Sequence, residues 1–282
     1  MTWFVLLGVG AAVCWGVSDF LGGLQARSQS ALGVALWSQL AGLTALSGVL
    51  LIQATPPLLE SVAWGLGAGL FGGLGLLLLY RGLATGMMAL IAPVSASGVL
   101  VPVLVALTLG ESLNILVSVG IPAALAGIVL VSSAPSPDHQ ASADLRTPMF
   151  LALGAALCFG MVYVFVDRGA IRGDASPLWV IGGERLASVA LLLAFAFCRK
   201  DVRLPNAHHG RITTVGLLDT AANVLFAFAT RHGNLGVVSM LASTFPVVTV
   251  LLGWFVLGER LTRLQQGGVL LALVGVALLS SG

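Results

Sequence analysis

Residues 235–268 read LGVVSMLASTFPVVTVLLGWFVLGERLTRLQQGG. They hold an apolar stretch long enough to cross a bilayer, a polar corner at Gly258-Glu259-Arg260, and the start of a second apolar stretch. Residues 87–120, MMALIAPVSASGVLVPVLVALTLGESLNILVSVG, carry the same plan 148 positions earlier. With that shift residues 80–133 lie on 228–281 without a gap, pairing Gly110-Glu111 with Gly258-Glu259, Leu113 with Leu261, Gly120 with Gly268, Gly127 with Gly275 and Ser95 with Ser243. The repeat reaches the earlier segments at slightly smaller offsets. Cys14-Trp15-Gly16 matches Cys158-Phe159-Gly160 at 144, and Gln39-Leu40-Ala41 matches Arg185-Leu186-Ala187 at 146. The chain is two related halves, residues 1–133 and 148–282, joined by the polar linker 134–147, APSPDHQASADLRT.

Composition sets the class. Hydrophobic residues make up 58% of the 282 and charged residues only 9%, where a soluble domain carries about a quarter charged residues; mean hydropathy is +1.03. An all-α integral membrane protein is expected. A net charge of +2 with scattered basic residues gives no nucleic-acid footprint. Cys14, Cys158 and Cys198 are an odd set without CxxC spacing, inside apolar runs, and imply neither disulfide nor metal site. The first run lacks a basic lead and a small-residue cleavage site, so it reads as a retained helix.

The apolar runs fall at about 3–24, 31–52, 61–80, 87–107, 115–133, 148–168, 177–198, 212–230, 235–257 and 264–281, each near the ~20 residues that span the hydrocarbon. They predict ten transmembrane helices, five per half. Because five is odd, the second half enters the membrane in the opposite sense to the first, giving two inverted five-helix repeats around a central cavity. In alternate loops, nine Lys and Arg lie on one side (Arg27, Arg81, Arg146, Arg199, Lys200, Arg203, Arg211, Arg260 and Arg263) and three on the other (Arg168, Arg172 and Arg231). The richer side is placed in the cytoplasm, leaving both termini facing outward.

Pro246-x-x-Thr249, Leu257-Gly258-Glu259-Arg260-Leu261-Thr262, Gln265, Gly268 and Gly275-Val276 resemble the EamA domain of the drug/metabolite transporter superfamily. The first copy keeps Gly110-Glu111-Ser112-Leu113 and Gly120 but lacks the Arg after Glu and the Gln before Gly. The resemblance implies a ten-helix carrier whose cavity is lined mainly by spans 1, 3, 4, 6, 8 and 9, and an exporter of amino acids or other metabolites in a bacterial inner membrane, where outward-facing termini are periplasmic. Relatives are often drawn with cytoplasmic termini, opposite to the loop count here.

Polar and aromatic groups at helical spacing mark candidate cavity faces. Span 8 has Asp219, Asn223 and Phe226; span 9 has Ser239, Ser243 and Pro246; span 4 has Ser95 and Pro102; span 1 has Trp15 and Asp19; span 6 has Phe159 and Tyr163; Tyr80 ends span 3. Small residues also serve close helix approach, the role expected of Gly65, Gly69 and Gly73. Trp15 and Phe159 fit a cavity or a lipid face. Pro93, Pro102 and Pro246 fit gating hinges or fixed kinks.

Charges inside spans usually face the protein interior. Arg185 is expected to be structural and Glu184 is a candidate proton site; Asp19 and Asp219 are candidates for a substrate ammonium or a proton, with Asp19 also within reach of interfacial water. Glu111 and Glu259, near helix starts, fit amide stabilisation. No phosphate loop, HExxH or GxSxG is present, and His139, His208, His209 and His232 sit in loops or at helix ends. The resulting expectation is a secondary or facilitative transporter, monomeric and without cofactor, exporting amino acids with aromatic ones favoured, with protons as a possible partner. Cationic drugs or nucleotide-linked metabolites are the alternative cargo. A membrane-embedded enzyme and a non-transporting sensor are the alternatives of another class.

Overall fold

The computed structural model describes residues 3–53, 56–84, 91, 94–110, 114–132, 146–171, 176–199, 209–257 and 262–281, and all regular structure within them is helical. In order the helices are α1 (Trp3–Ser28), α2 (Ala31–Gln53), α3 (Leu59–Ala84), α4 (Leu100–Thr108), α5 (Ile115–Ser132), α6 (Arg146–Ile171), α7 (Leu178–Arg199), α8 (His209–Thr230), α9 (Leu235–Ala242), α10 (Phe245–Leu257) and α11 (Arg263–Ser281), with a 3-10 turn at Ser97–Val99 ahead of α4. Continuous apolar sequence folds this way because a helix satisfies every backbone N–H and C=O internally. Among the described residues seven helical segments are long and apolar enough to cross a membrane, and three shorter apolar ones, Val94–Thr108, Ile115–Leu130 and Gln266–Gly275, occupy the positions of spans 4, 5 and 10. Pro93, Glu111, Glu259, His139, His208 and linker residues 134–145 lie outside the described residues. Helix α6 starts at Arg146, so the last two residues assigned to the linker belong to its first turn.

The outer surface is apolar. Ile52, Leu51, Phe150, Trp3 and Phe197 are 86, 82, 74, 73 and 71% exposed, a hydrophobic girdle that water would not tolerate and lipid does.

The packing repeats when the halves are exchanged. Helix α3 lies against α7 and α6 of the other half, and its counterpart α8 lies against α2 and α1. Span 9 packs on α1, as the turn at 97–99 and α4 pack on α6; α2 meets α7, and α5 meets α11. The halves therefore interlock instead of standing apart, and the seam between them runs through the middle of the molecule.

Glycine sets how closely the seam closes. A Cβ on Gly65 would strike the Val180 carbonyl, one on Gly69 the Glu184 carbonyl, and one on Gly73 would lie 3.1 Å from Ser188 Oγ. Across the pseudo-axis Gly216 faces the Ser38 carbonyl and Gly42 faces Thr220. The last spans are reciprocal: Gly127 packs on Ala272 and Gly275 on Ala124, two pairs related by the 148-residue shift. In lipid, apolar helices gain little from hiding apolar surface, so association depends on this close approach.

Span 9 is not one helix. It breaks at Ser243-Thr244, where the Thr244 hydroxyl donates to the Leu241 carbonyl at 2.7 Å and the Ser243 N–H to Ser239 O at 2.9 Å. Pro246 then sits in the first turn of α10, where its missing N–H would have had no partner anyway. Pro102 occupies the first turn of α4 in the same way, just after the 3-10 turn. Each proline closely follows a local change in the helical hydrogen bonding, the 3-10 turn for Pro102 and the break at Ser243-Thr244 for Pro246. Gly110, at φ 80°, closes α4 in the left-handed region that glycine adopts without strain.

Candidate functional site

Near the middle of α8, Asp219 faces the seam, and the site is assembled around its carboxylate. Trp15 Nε1 of α1 donates to Oδ1 at 3.1 Å; Arg185 of α7 donates to Oδ2 at 2.6 Å; Gln39 Nε2 of α2 donates to Oδ2 at 2.9 Å. One turn on, Asn223 Nδ2 donates to the Asp219 carbonyl at 2.9 Å. Gln39 Oε1 in turn accepts from Arg185 at 2.5 Å and from Ser188 Oγ at 3.0 Å. Gln39 and Arg185 are the repeat-related pair read from the sequence, so the two copies touch at equivalent positions. Trp15, Gln39, Arg185 and Asp219 thus tie together α1, α2, α7 and α8.

Beside this network lies a cavity enclosing about 520 Å³ of space free of atoms, counting the part open to solvent. Its walls are Trp15 and Asp19 of α1, Gln39 of α2, Gly72 and Leu76 of α3, Phe159, Val162 and Tyr163 of α6, Glu184 of α7, Asp219 and Asn223 of α8, and Phe245 of α10. One wall is aromatic. Tyr163 and Phe226 pack at a tilt of 37° with centroids 4.9 Å apart, and Trp15 lies 5.6 Å from Tyr163 and 6.0 Å from Phe226.

The other wall is acidic. Asp19 is half-buried and receives no hydrogen bond from the described residues. Glu184 is 4% exposed; its Oε1 is 3.9 Å from Arg185, and its Oε2 has no hydrogen-bond partner. Three carboxyl groups therefore border the cavity against one guanidinium. That guanidinium, 0% exposed, is committed to Asp219 and Gln39 from behind.

Of the residues singled out in the sequence, Trp15, Asp19, Phe159, Tyr163, Asp219, Asn223 and Glu184 come together on the cavity lining. The others stand behind it or apart. Phe226 is fully buried behind Trp15 and Tyr163; Ser243 Oγ lies 3.3 Å from the Tyr163 hydroxyl; Ser95 and Ser239 are fully buried off the lining. Tyr80 is also fully buried, its ring end against Gly22. The lining also departs from the expected set of spans. Among the described residues span 4 contributes no lining side chain, whereas α2 and α7 contribute Gln39 and Glu184, because these helices cross at the seam where glycine lets α3 and α8 close in. Gln39 was the residue missed. Its alignment with the charged Arg185 was the available signal, since a polar amide in mid-membrane needs a partner.

The sequence matches the family model for the EamA-like transporter family twice, over residues 2–133 and 146–281. The chain belongs to the EamA-like transporter family. No curated protein matches it. A solved chain described only as "Crystal structure of protein" superposes with a TM-score of 0.75 at 18% identity, covering 98% of this chain and 95% of that one, which shows a shared fold. This EamA-like protein is accordingly a multi-pass membrane transporter of the drug/metabolite superfamily, and its cargo is a small molecule. For such a transporter, a mid-membrane cavity between interlocked repeats is where cargo is expected to bind.

Proposed function

We propose that this EamA-like transporter carries a small organic solute with a protonated amine and an aromatic or apolar body. The observation that carries the proposal is the acidic surplus of the cavity: three carboxyl groups, Asp19, Glu184 and Asp219, border it against one guanidinium, opposite Trp15, Phe159, Tyr163 and Phe245. A carboxylate away from water gains most from a charge-assisted hydrogen bond to an ammonium, and an aromatic face adds cation–π attraction of about 0.5–2 kcal/mol.

Among the described lining residues a cargo carboxylate finds no free cation, because Arg185 is buried behind Asp219. Amines are therefore preferred to amino acids. An aromatic amino acid is the second reading, favoured by Asn223, whose amide borders the cavity and spends one hydrogen on the Asp219 carbonyl.

In the proposed cycle the ligand contacts both repeats, and the repeats rock around it. The break at Ser243-Thr244 lets α10, with Phe245 at its start, move with α1, to which Thr249 Oγ1 is tied through the Gly16 carbonyl at 3.1 Å. A monomer is the proposed working unit. The loop-charge asymmetry supports cytoplasmic placement of the basic loops, with both termini on the opposite side; a bacterial inner membrane and export are proposed from the family resemblance.

Counterflow tests the proposal. Proteoliposomes loaded with unlabelled tryptamine or tryptophan are diluted into trace label of the same compound without an ion gradient. Transient accumulation of tryptamine is the expected result. Accumulation of tryptophan alone supports the second reading; accumulation of neither, by folded protein, rejects both.

A further inference from the structure

The ion-pair network behind the cavity is unevenly satisfied. Arg185 makes both of its hydrogen bonds through one terminal nitrogen, to Asp219 at 2.6 Å and to Gln39 at 2.5 Å. Its other terminal nitrogen and its Nε are buried without a hydrogen-bond partner. So is Glu184 Oε2, on the neighbouring residue. The Arg185 guanidinium and the Glu184 carboxyl are already 3.9 Å apart. Buried polar atoms left unpaired are costly, and here an unpaired donor, Arg185 Nη2, lies 3.9 Å from Oε1 of the same carboxyl group whose Oε2 is unpaired. A modest swing of the guanidinium toward Glu184 would pair them at the expense of Asp219.

Asp219 faces both ways. Its side chain is 14% exposed and borders the cavity, while Arg185, at 0%, reaches it from behind. A carboxylate has about four acceptor positions. Three are taken, by Trp15, Gln39 and Arg185. An incoming ammonium would meet one remaining position and a guanidinium a few ångströms away in a medium that screens poorly, so the two cations compete.

Resting on the amine reading of the cavity, we infer that Arg185 is a resident cation that the cargo amine displaces from Asp219, and that Glu184 receives it. Glu184 is then a specificity determinant that acts through Arg185, not a direct contact of the cargo. Only a solute cationic enough to replace a guanidinium engages Asp219. A neutral solute leaves the network as it stands.

The test is equilibrium binding of labelled tryptamine to the purified full chain, in a cycle of wild type, Arg185→Gln, Glu184→Gln and the double variant. Removing the competitor should tighten binding at least tenfold in Arg185→Gln. Removing the receiver should weaken binding at least tenfold in Glu184→Gln. In the double variant Glu184→Gln should change the affinity less than twofold, since there is no guanidinium left to receive. Equal weakening by Glu184→Gln in both backgrounds would show direct contact with the cargo and overturn the inference, as would wild-type affinity in Glu184→Gln alone. Where Arg185→Gln does not fold, Arg185→Met replaces it. A methionine fills much of the space without a charge for Glu184 to receive, so the effect of Glu184→Gln should again fall below twofold. Failure of the wild type to bind tryptamine sinks the amine reading itself; tryptamine binding with an uncoupled cycle sinks only the displacement.

Discussion

Substituting Gly69 with alanine places a methyl group where α3 meets α7, against the Glu184 carbonyl and 2.8 Å from Ala187 Cβ. Carbon and carbonyl oxygen normally approach no closer than about 3.3 Å, so the helices must part locally by about 1 Å. A gap of that size forfeits a quarter to a half of each contact's ~0.1–0.2 kcal/mol, and with roughly 30 atom pairs across this part of the seam the loss is about 2 kcal/mol. Alanine's better helix propensity returns up to ~1 kcal/mol, leaving a net cost of about 1 kcal/mol or more. Gly48 on α2 is the control. Nothing lies within 4 Å of the methyl it would gain, so Gly48→Ala should be neutral or stabilising by up to ~1 kcal/mol. Unfolding in mixed micelles by rising SDS fraction, followed by circular dichroism, measures both. Because the Glu184 backbone is what moves, Gly69→Ala should also weaken tryptamine binding, whereas Gly48→Ala should leave it unchanged. Equal stability of the two variants would refute the claim that this glycine sets the spacing of the halves.

Asp219→Ala strips Arg185 of its close carboxylate but leaves Glu184 3.9 Å away to receive it, so the cost should fall below the about 3–5 kcal/mol of a buried charge left unpaired, read in the same unfolding assay. Trp15→Phe keeps the aromatic wall but removes the N–H donated to Asp219, for an expected loss of about 1.5–3 kcal/mol and a correspondingly lower SDS midpoint. Treatment with a reducing agent should leave stability unchanged, because Cys14, Cys158 and Cys198 are free thiols.

The fold was legible in the sequence because its signals are long and redundant. Apolar runs of about 20 residues mark the spans, and the match of residues 80–133 to 228–281 marks the duplication, including the Gly127 and Gly275 contacts that the structure shows to be reciprocal. Much of the site was legible too, since Asp219 and Asn223, or Trp15 and Asp19, are polar groups on one helix face where lipid permits none. What hid was pairing between helices. Nothing in a single run tells that Gln39 meets Arg185, or that Asp219 draws donors from three helices at once. Ser95, Ser239 and Ser243 satisfied the same spacing rule as Asp219 but lie off the lining, because a serine at helical spacing serves packing as readily as binding. The break at Ser243-Thr244 hid for a related reason. Pro246 advertises an interruption, yet a proline at a helix start and one inside a helix look alike in sequence.

The most direct test of a cargo site at the seam is alternating access to Asn223. In a chain lacking Cys14, Cys158 and Cys198, a cysteine at Asn223 should react with a membrane-impermeant thiol reagent from either side of the membrane, and tryptamine should protect it on both. Labelling from one side only, or labelling indifferent to tryptamine, would contradict the account.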